Sequence, residues 1–182
     1  VEYFGGTVST SNMFVYAAGD DGLDIDQSFG GTISNSVVVK AATGDSGLEI
    51  DGPEGSYNAE FTLDKITLKG NAANSNKIAE YKSKARGASK NVYALDFPAS
   101  CIVKISDATS SNNFAASPSI LSFMDWNIKA SSLTGIFVDA GNTTTSTFPS
   151  APFATAVTAP ATGVGADCTV FGWTLAKAKG IF

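Results

Sequence analysis

Between Phe4 and Asp51, apolar and polar residues alternate in short runs separated by glycine, and the pattern occurs twice. Phe4-Gly5-Gly6-Thr7-Val8-Ser9 returns as Phe29-Gly30-Gly31-Thr32-Ile33-Ser34, and Gly19-Asp20-Asp21-Gly22-Leu23-Asp24-Ile25-Asp26 returns as Gly44-Asp45-Ser46-Gly47-Leu48-Glu49-Ile50-Asp51, both displaced by 25 positions. Successive side chains of a strand face opposite ways, so Leu23 and Ile25, and after them Leu48 and Ile50, point inward while the acids between them point out. A repeat of this length, built of short strands and glycine turns, predicts a solenoid in which each repeat is one coil. The fold class expected is all-β, a right-handed parallel β-helix of about five to seven coils with a C-terminal capping segment.

Thr7-Val8-Ser9 and Thr32-Ile33-Ser34 supply a second strand, and residues 4–9 and 29–34 are expected at equivalent positions of adjacent coils. Met13-Phe14-Val15-Tyr16, Val37-Val38-Val39-Lys40 and Ile66-Thr67-Leu68-Lys69 align as a third strand, one residue out of the frame of 25. Beyond Gly52-Pro53-Glu54-Gly55-Ser56, Phe61-Thr62-Leu63 resumes the pattern and the period loosens. Lys77–Gly87 suits a helical turn or a strand of the fourth coil. Strands are predicted over Asn91–Phe97, Ser100–Ile105, Ile120–Ile128 and Gly135–Asp139. Residues 106–118 and 141–166, rich in Ser, Thr, Ala, Pro and Gly, predict long loops thrown out from one domain spanning 1–182. Thr169–Leu175 predicts a last strand, with 163–182 covering the final coil through Val170, Phe171 and Trp173.

Composition narrows the partners. Apolar residues make up 43% of the chain, charged residues only 16%, and the net charge of −5 opposes a polyphosphate partner. Nucleic acid is therefore not expected. No apolar run approaches the roughly 18 residues of a spanning helix. The start at Val1 resembles the middle of a strand, as in a mature or trimmed piece. Cys101 and Cys168 match no zinc spacing, which leaves a disulfide or two buried thiols as alternatives.

Four segments carry a family resemblance: Phe4-Gly5-Gly6-Thr7-Val8, Gly19-Asp20-Asp21, the run from Phe61 to Gly70, and Gly165-Ala166-Asp167 to Phe171-Gly172-Trp173-Thr174. Together they resemble the C-terminal half of secreted β-helix proteins of Bacteroidota. The resemblance implies a right-handed parallel β-helix exported to the cell surface and brings no catalytic residues with it.

The candidate chemistry lies in carboxylates. A coil of 25 residues stacks Asp20 on Asp45, Asp24 on Glu49 and Asp26 on Asp51. Unit charges about 5 Å apart repel by roughly 0.8 kcal/mol in water and several-fold more near a protein surface. A hard cation such as Ca²⁺ at Asp24, Asp26, Glu49 and Asp51 would relieve this. The alternative is a solvated acidic face, with Asp20, Asp21 and Asp45 capping turns or lining a ligand site.

Two classes of function fit: a non-enzymatic secreted or cell-surface protein, binding glycan or other subunits or associating through solenoid ends, and a carbohydrate-active enzyme, lyase or glycosidase, working at the acidic turn. Gly19-Asp20-Asp21 is similar to the aspartate pair of polygalacturonases, but histidine is absent and Arg86 is the only arginine. Gly-x-Ser-x-Gly is missing, and Gly163-Val164-Gly165 lacks the strand-then-helix setting of a phosphate loop. Trp126 and Trp173 suit either core packing or a sugar platform. Asn142-Thr143-Thr144 is a sequon, of consequence only in a eukaryotic source.

Overall fold

The computed structural model describes residues 1–142 and 153–182; Thr143 and Thr144 of the sequon and part of the predicted loop 141–166 lie outside them. One sheet, A, is formed by β1 (Glu2–Gly6), β4 (Leu23–Phe29), β6 (Leu48–Asp51), β8 (Ala79–Lys82), β10 (Val103–Ile105) and β12 (Phe137–Asp139). Sheet B is formed by β2 (Thr10–Ser11), β3 (Phe14–Tyr16), β5 (Thr32–Val39), β7 (Phe61–Lys69), β9 (Gly87–Leu95), β11 (Leu121–Lys129) and β13 (Ala154–Val157). The chain visits A and B in turn and every pairing is parallel, which makes a β-helix.

The core is a set of columns running through the coils. Leu23, Leu48, Ala79, Val103 and Phe137 form one, and Ile25, Ile50, Tyr81 and Ile105 the next. All of these are buried, and each large aliphatic side chain contributes about 1.5–3 kcal/mol. From sheet B, Val15, Val38, Leu68, Ala94 and Ile128 face them. The phenol of Tyr81 and the hydroxyl of Ser89 satisfy each other at 2.7 Å inside this core.

Sheet B explains the third strand. Asn12, Asn35, Lys65, Asn91 and Asp125 occupy the left-handed region, with φ between 44° and 59°, one residue in each of the first five coils. Each bends the chain in mid-sheet without ending the ladder. The pairing is Phe14 with Val37 and Val37 with Thr67, so the predicted alignment of Val37 with Met13 and Ile66 is corrected by one residue.

The first coil departs further from the repeat. Gly6, not Phe4, pairs with Phe29, and Thr10, not Val8, pairs with Ile33. Tyr3 turns inward, its ring 4.9 Å from that of Phe29, leaving Phe4 69% exposed whereas Phe29 is 2% exposed. The similar hexapeptides are therefore not equivalent in space. Gly5 and Gly6, at φ 77° and 85°, accommodate the register shift between Phe4 and Gly6.

Two predicted segments differ in kind. Within 106–118 lies a helix, α1 (Ala108–Ala115), begun by Asp107, whose carboxylate accepts from the Thr109 and Ser110 N–H groups. The predicted strand Thr169–Leu175 is a 3₁₀ turn, Cys168–Phe171, followed by a short helix, α2 (Leu175–Ala178). Asp167 caps the turn through the Thr169 N–H at 3.0 Å, and Thr174 caps α2 through the Lys177 N–H at 3.0 Å. These local caps, with Gly172 between them, prevail over the strand preference of Val170 and Phe171.

Nor does 163–182 cover the last coil. The C-terminal segment runs back along the outside of sheet B as a strap. Ala161 N–H donates to the Asn127 side chain, Gly165 N–H to the Asn91 carbonyl, Ala166 N–H to Thr67 Oγ1 and Asp167 N–H to Asn35 Oδ1, each contact one coil nearer the start. Phe171 then buries against Val37 and Val39, and Phe182 lies 5.2 Å from Phe14 in the first coil. Val37 and Val39 face outward from sheet B, so the strap supplies an apolar cover that the solenoid interior cannot. Cys168 lies in this cluster while Cys101 is in the main core, and both thiols are free, so the disulfide alternative does not hold.

Candidate cation site on the acidic face

The outward positions of sheet A bring Glu2, Asp24, Glu49, Glu80 and Lys104 into one column, and Asp51 and Lys82 into the next. Asp24 over Glu49 agrees with the expected stacking. Asp21 joins them from the turn before β4: its Oδ1 accepts the Ser46 N–H at 2.6 Å, so this aspartate bridges two coils as a turn cap. Asp21, Asp24 and Glu49 each place a carboxylate oxygen within 4.8 Å of the others.

The sequence-predicted residues thus divide. Asp20 is exposed, and its carbonyl accepts the Asp45 N–H. Asp45 is bound by Lys77 at 2.7 Å. Asp26 Oδ1 accepts the neighbouring Gln27 N–H at 2.6 Å, and Asp51 is paired with Lys82 at 3.4 Å. Neither Asp26 nor Asp51 joins the trio.

Glu80, Lys77, Lys82 and Lys104 escaped the sequence reading. Between Leu48 and Ala79, partners across the ladder, the loops after β6 and β7 lengthen the repeat and hide it. The remaining signal was alternation: Ala79 and Tyr81 point inward and Glu80 and Lys82 outward, as in Leu48-Glu49-Ile50-Asp51.

The lysines divide the face into two electrostatic regimes. A second group, Asp45, Glu49 and Glu80, also lies within 4.8 Å, but the Lys77 ammonium stands between Asp45 and Glu80, at 2.7 and 2.9 Å. Burial works to raise Glu80, yet the Ser106 hydroxyl, Lys77 and Lys104 outweigh it and bring the carboxyl down to about 2. Burial likewise opposes the charge on Lys82, and Glu49 and Asp51 overcome it, raising that ammonium further. Around Asp24 the balance reverses. Burial, then the charges of Glu49 and Asp21, push its carboxyl up to about 7, and no ion pair reaches it among the described residues. Burial also raises Asp21 and Glu49, the latter against the pull of Lys82.

The trio suits a hard cation in its chemistry: three carboxylates and, against Asp21, the buried Ser46 hydroxyl without a well-formed hydrogen bond. Ca²⁺ takes six to eight oxygens in irregular geometry, and carboxylates can bind it through both atoms. Features of a carbohydrate-cleaving centre are fewer. Arg86 pairs with Glu60 at 3.0 Å, outside the trio. Trp126 is fully buried, with its indole N–H on the Ser89 carbonyl at 3.1 Å, whereas Trp173 is 69% exposed.

Coils of alternating sheets, parallel ladders and a charged flank define the class of this protein as a parallel β-helix. The chain belongs to the pectate-lyase-like β-helix domain family, whose profile matches residues 1–176. No curated protein and no solved structure matches it. No helix among the described residues is long and apolar enough to cross a membrane.

Proposed function

We propose that the chain is a non-enzymatic β-helix of a secreted or cell-surface assembly, of the bacterial kind its resemblance to Bacteroidota proteins implies. In this reading it holds Ca²⁺ at Asp21, Asp24 and Glu49 and binds glycan or a neighbouring subunit on the same flank. The carrying observation is the contrast along one column: where Lys77 and Lys104 serve Glu80 the acids are compensated, whereas where Asp24 meets Asp21 and Glu49 a single lysine, Lys82, reaches Glu49 at 3.1 Å and, among the described residues, no ion pair reaches Asp21 or Asp24. A bound cation would supply the missing charge and offer open coordination positions to the oxygens of a sugar. Family membership supports a carbohydrate-related or surface role.

A carbohydrate-active enzyme is the second reading, favoured by one observation. Asp24, held up to about 7, is poised to exchange a proton near neutral pH, as a general acid must. Lys82, kept charged by Glu49 and Asp51, is a poor base, which weighs against a lyase.

The test is calcium-dependent melting at pH 8 together with a glycan array read for both retention and turnover. A cation in hundredfold excess over its Kd stabilises the fold by about 2.7 kcal/mol. Millimolar Ca²⁺ should raise Tm, EDTA should reverse the rise, and retention without product should follow. An unchanged Tm sinks the cation, and product release sinks the non-enzymatic reading.

A further inference from the structure

The strap and the first coil enclose a second feature, on the opposite sheet from the acidic flank. Where α2 passes β3, a cleft of about 390 Å³ opens, lined by Phe14, Tyr16, Trp173, Leu175, Lys179 and Ile181. Phe14 and Ile181 belong to the cluster beneath the strap and give the cleft a packed floor. Its walls are open: Tyr16 is 56% exposed and Trp173 69%. Trp173 leans on buried Phe171, ring centroids 6.5 Å apart, so an otherwise exposed indole rests on a fixed support.

The electrostatics here are opposite to those of sheet A. From Cys168 to Phe182 the side chains include two lysines and no acid. Lys177 is engaged with the Phe182 carbonyl oxygen at 3.3 Å and lies over that ring. Lys179 has no side-chain partner among the described residues and stands at the rim. A solvent-facing pair of aromatic rings, a concave apolar floor and one unpaired ammonium match a ligand with a flat C–H face and an acidic edge. A pyranose ring has such a face, on which aromatic side chains stack, while an acidic substituent at its edge can accept from the three N–H donors of one lysine ammonium.

We infer that the Tyr16–Trp173 cleft is a glycan subsite, stacking a pyranose that bears an acidic substituent and pairing that substituent with Lys179. The inference rests on the glycan-binding reading above and adds a site that needs no cation. It also assigns the strap a role besides covering Val37 and Val39, because α2 carries one wall of the cleft.

The two tryptophans make the test direct, since Trp126 is fully buried and an emission change on titration reports Trp173. The full chain, kept in EDTA so that the acidic flank is silent, is titrated with a hyaluronan hexasaccharide, a heparin-derived hexasaccharide and neutral cellohexaose, with calorimetry in parallel. An acidic probe should shift the emission and bind at least tenfold tighter than cellohexaose. Lys179→Ala should remove that preference and Lys179→Arg restore it, and Trp173→Ala should abolish the heat. Lys179 is exposed, so its variants keep the fold.

Equal affinity for cellohexaose overturns the charge pairing. Unchanged calorimetric affinity in Trp173→Ala overturns the site while leaving the acidic-flank reading standing, and so does a solution dimer that dissociates on Trp173→Ala, since a second copy would then fill the cleft. Silence toward all three probes also overturns the cleft. If the glycan array in Ca²⁺ retains sugars under that silence, the broader glycan reading survives it.

Discussion

Replacing Asp24 with Asn should stabilise the protein in EDTA at pH 8 and remove its response to calcium. Asp24 ionises near 3.8 in an unfolded chain and near 7 in the fold. Between those values the folded state holds the proton more firmly than the unfolded state, so stability falls as pH rises through the interval and is level above it. A difference of that size corresponds to roughly 4 kcal/mol for a fully buried group. The carboxylate is partly solvated, and screening reduces this to about 1–2 kcal/mol. The Coulomb term agrees in scale: two charges within 4.8 Å repel by roughly 3 kcal/mol at an effective dielectric of about 20, before screening. Since about 1 kcal/mol moves Tm by about 2–4 °C in a chain of this size, Asp24→Asn should melt about 3–6 °C higher at pH 8 in EDTA. The gain should shrink steadily toward pH 4. Differential scanning fluorimetry across that range, with and without millimolar Ca²⁺, reads every arm. An Asn variant that melts lower than wild type at pH 8 in EDTA would refute the reasoning, because Asp24 would then be held by favourable contacts rather than opposed by its neighbours.

Two further outcomes test the architecture. Truncation after Gly163 removes Phe171 and Phe182 from Phe14, Val37 and Val39, so hydrogen exchange should rise over residues 14–16 and 37–39 and aggregation should follow; a rise confined to 121–129 and 154–157 would mean that the segment caps the last coil after all. Gly87→Ala should lower Tm by about 5–10 °C, because φ is 138° there and a Cβ would meet the Phe61 carbonyl oxygen at 2.4 Å, an overpacking costing about 2–3 kcal/mol; calorimetry showing no loss would mean that β7 and β9 can part.

What was legible in the sequence was what depends on nearest neighbours. Leu23 over Leu48 and Asp24 over Glu49 follow from alternation and one spacing, and the structure keeps both. The first coil misled because Phe4-Gly5-Gly6 and Phe29-Gly30-Gly31 look alike, while the choice between Tyr3 and Phe4 for the interior depends on packing against Phe29. Lys77 and Glu80 were hidden by loops of unequal length, to which a fixed period is blind. The strap was illegible for another reason. Its caps at Asp167 and Thr174 are local, but its position is set by Asn127, Asn91, Thr67 and Asn35, residues scattered over four coils.

In an ordinary solenoid each coil touches only the coils beside it, so unravelling can start at either end and travel. Here the tail is laced back to the first turn, and Phe182 rests near Phe14 while Val1 hydrogen-bonds to Gly22. Residues 1 and 182 therefore both lie beside the first described coil. Opening the coil that carries Phe14 would require the lacing to be undone first, which couples coils that would otherwise fray one by one into a single cooperative unit.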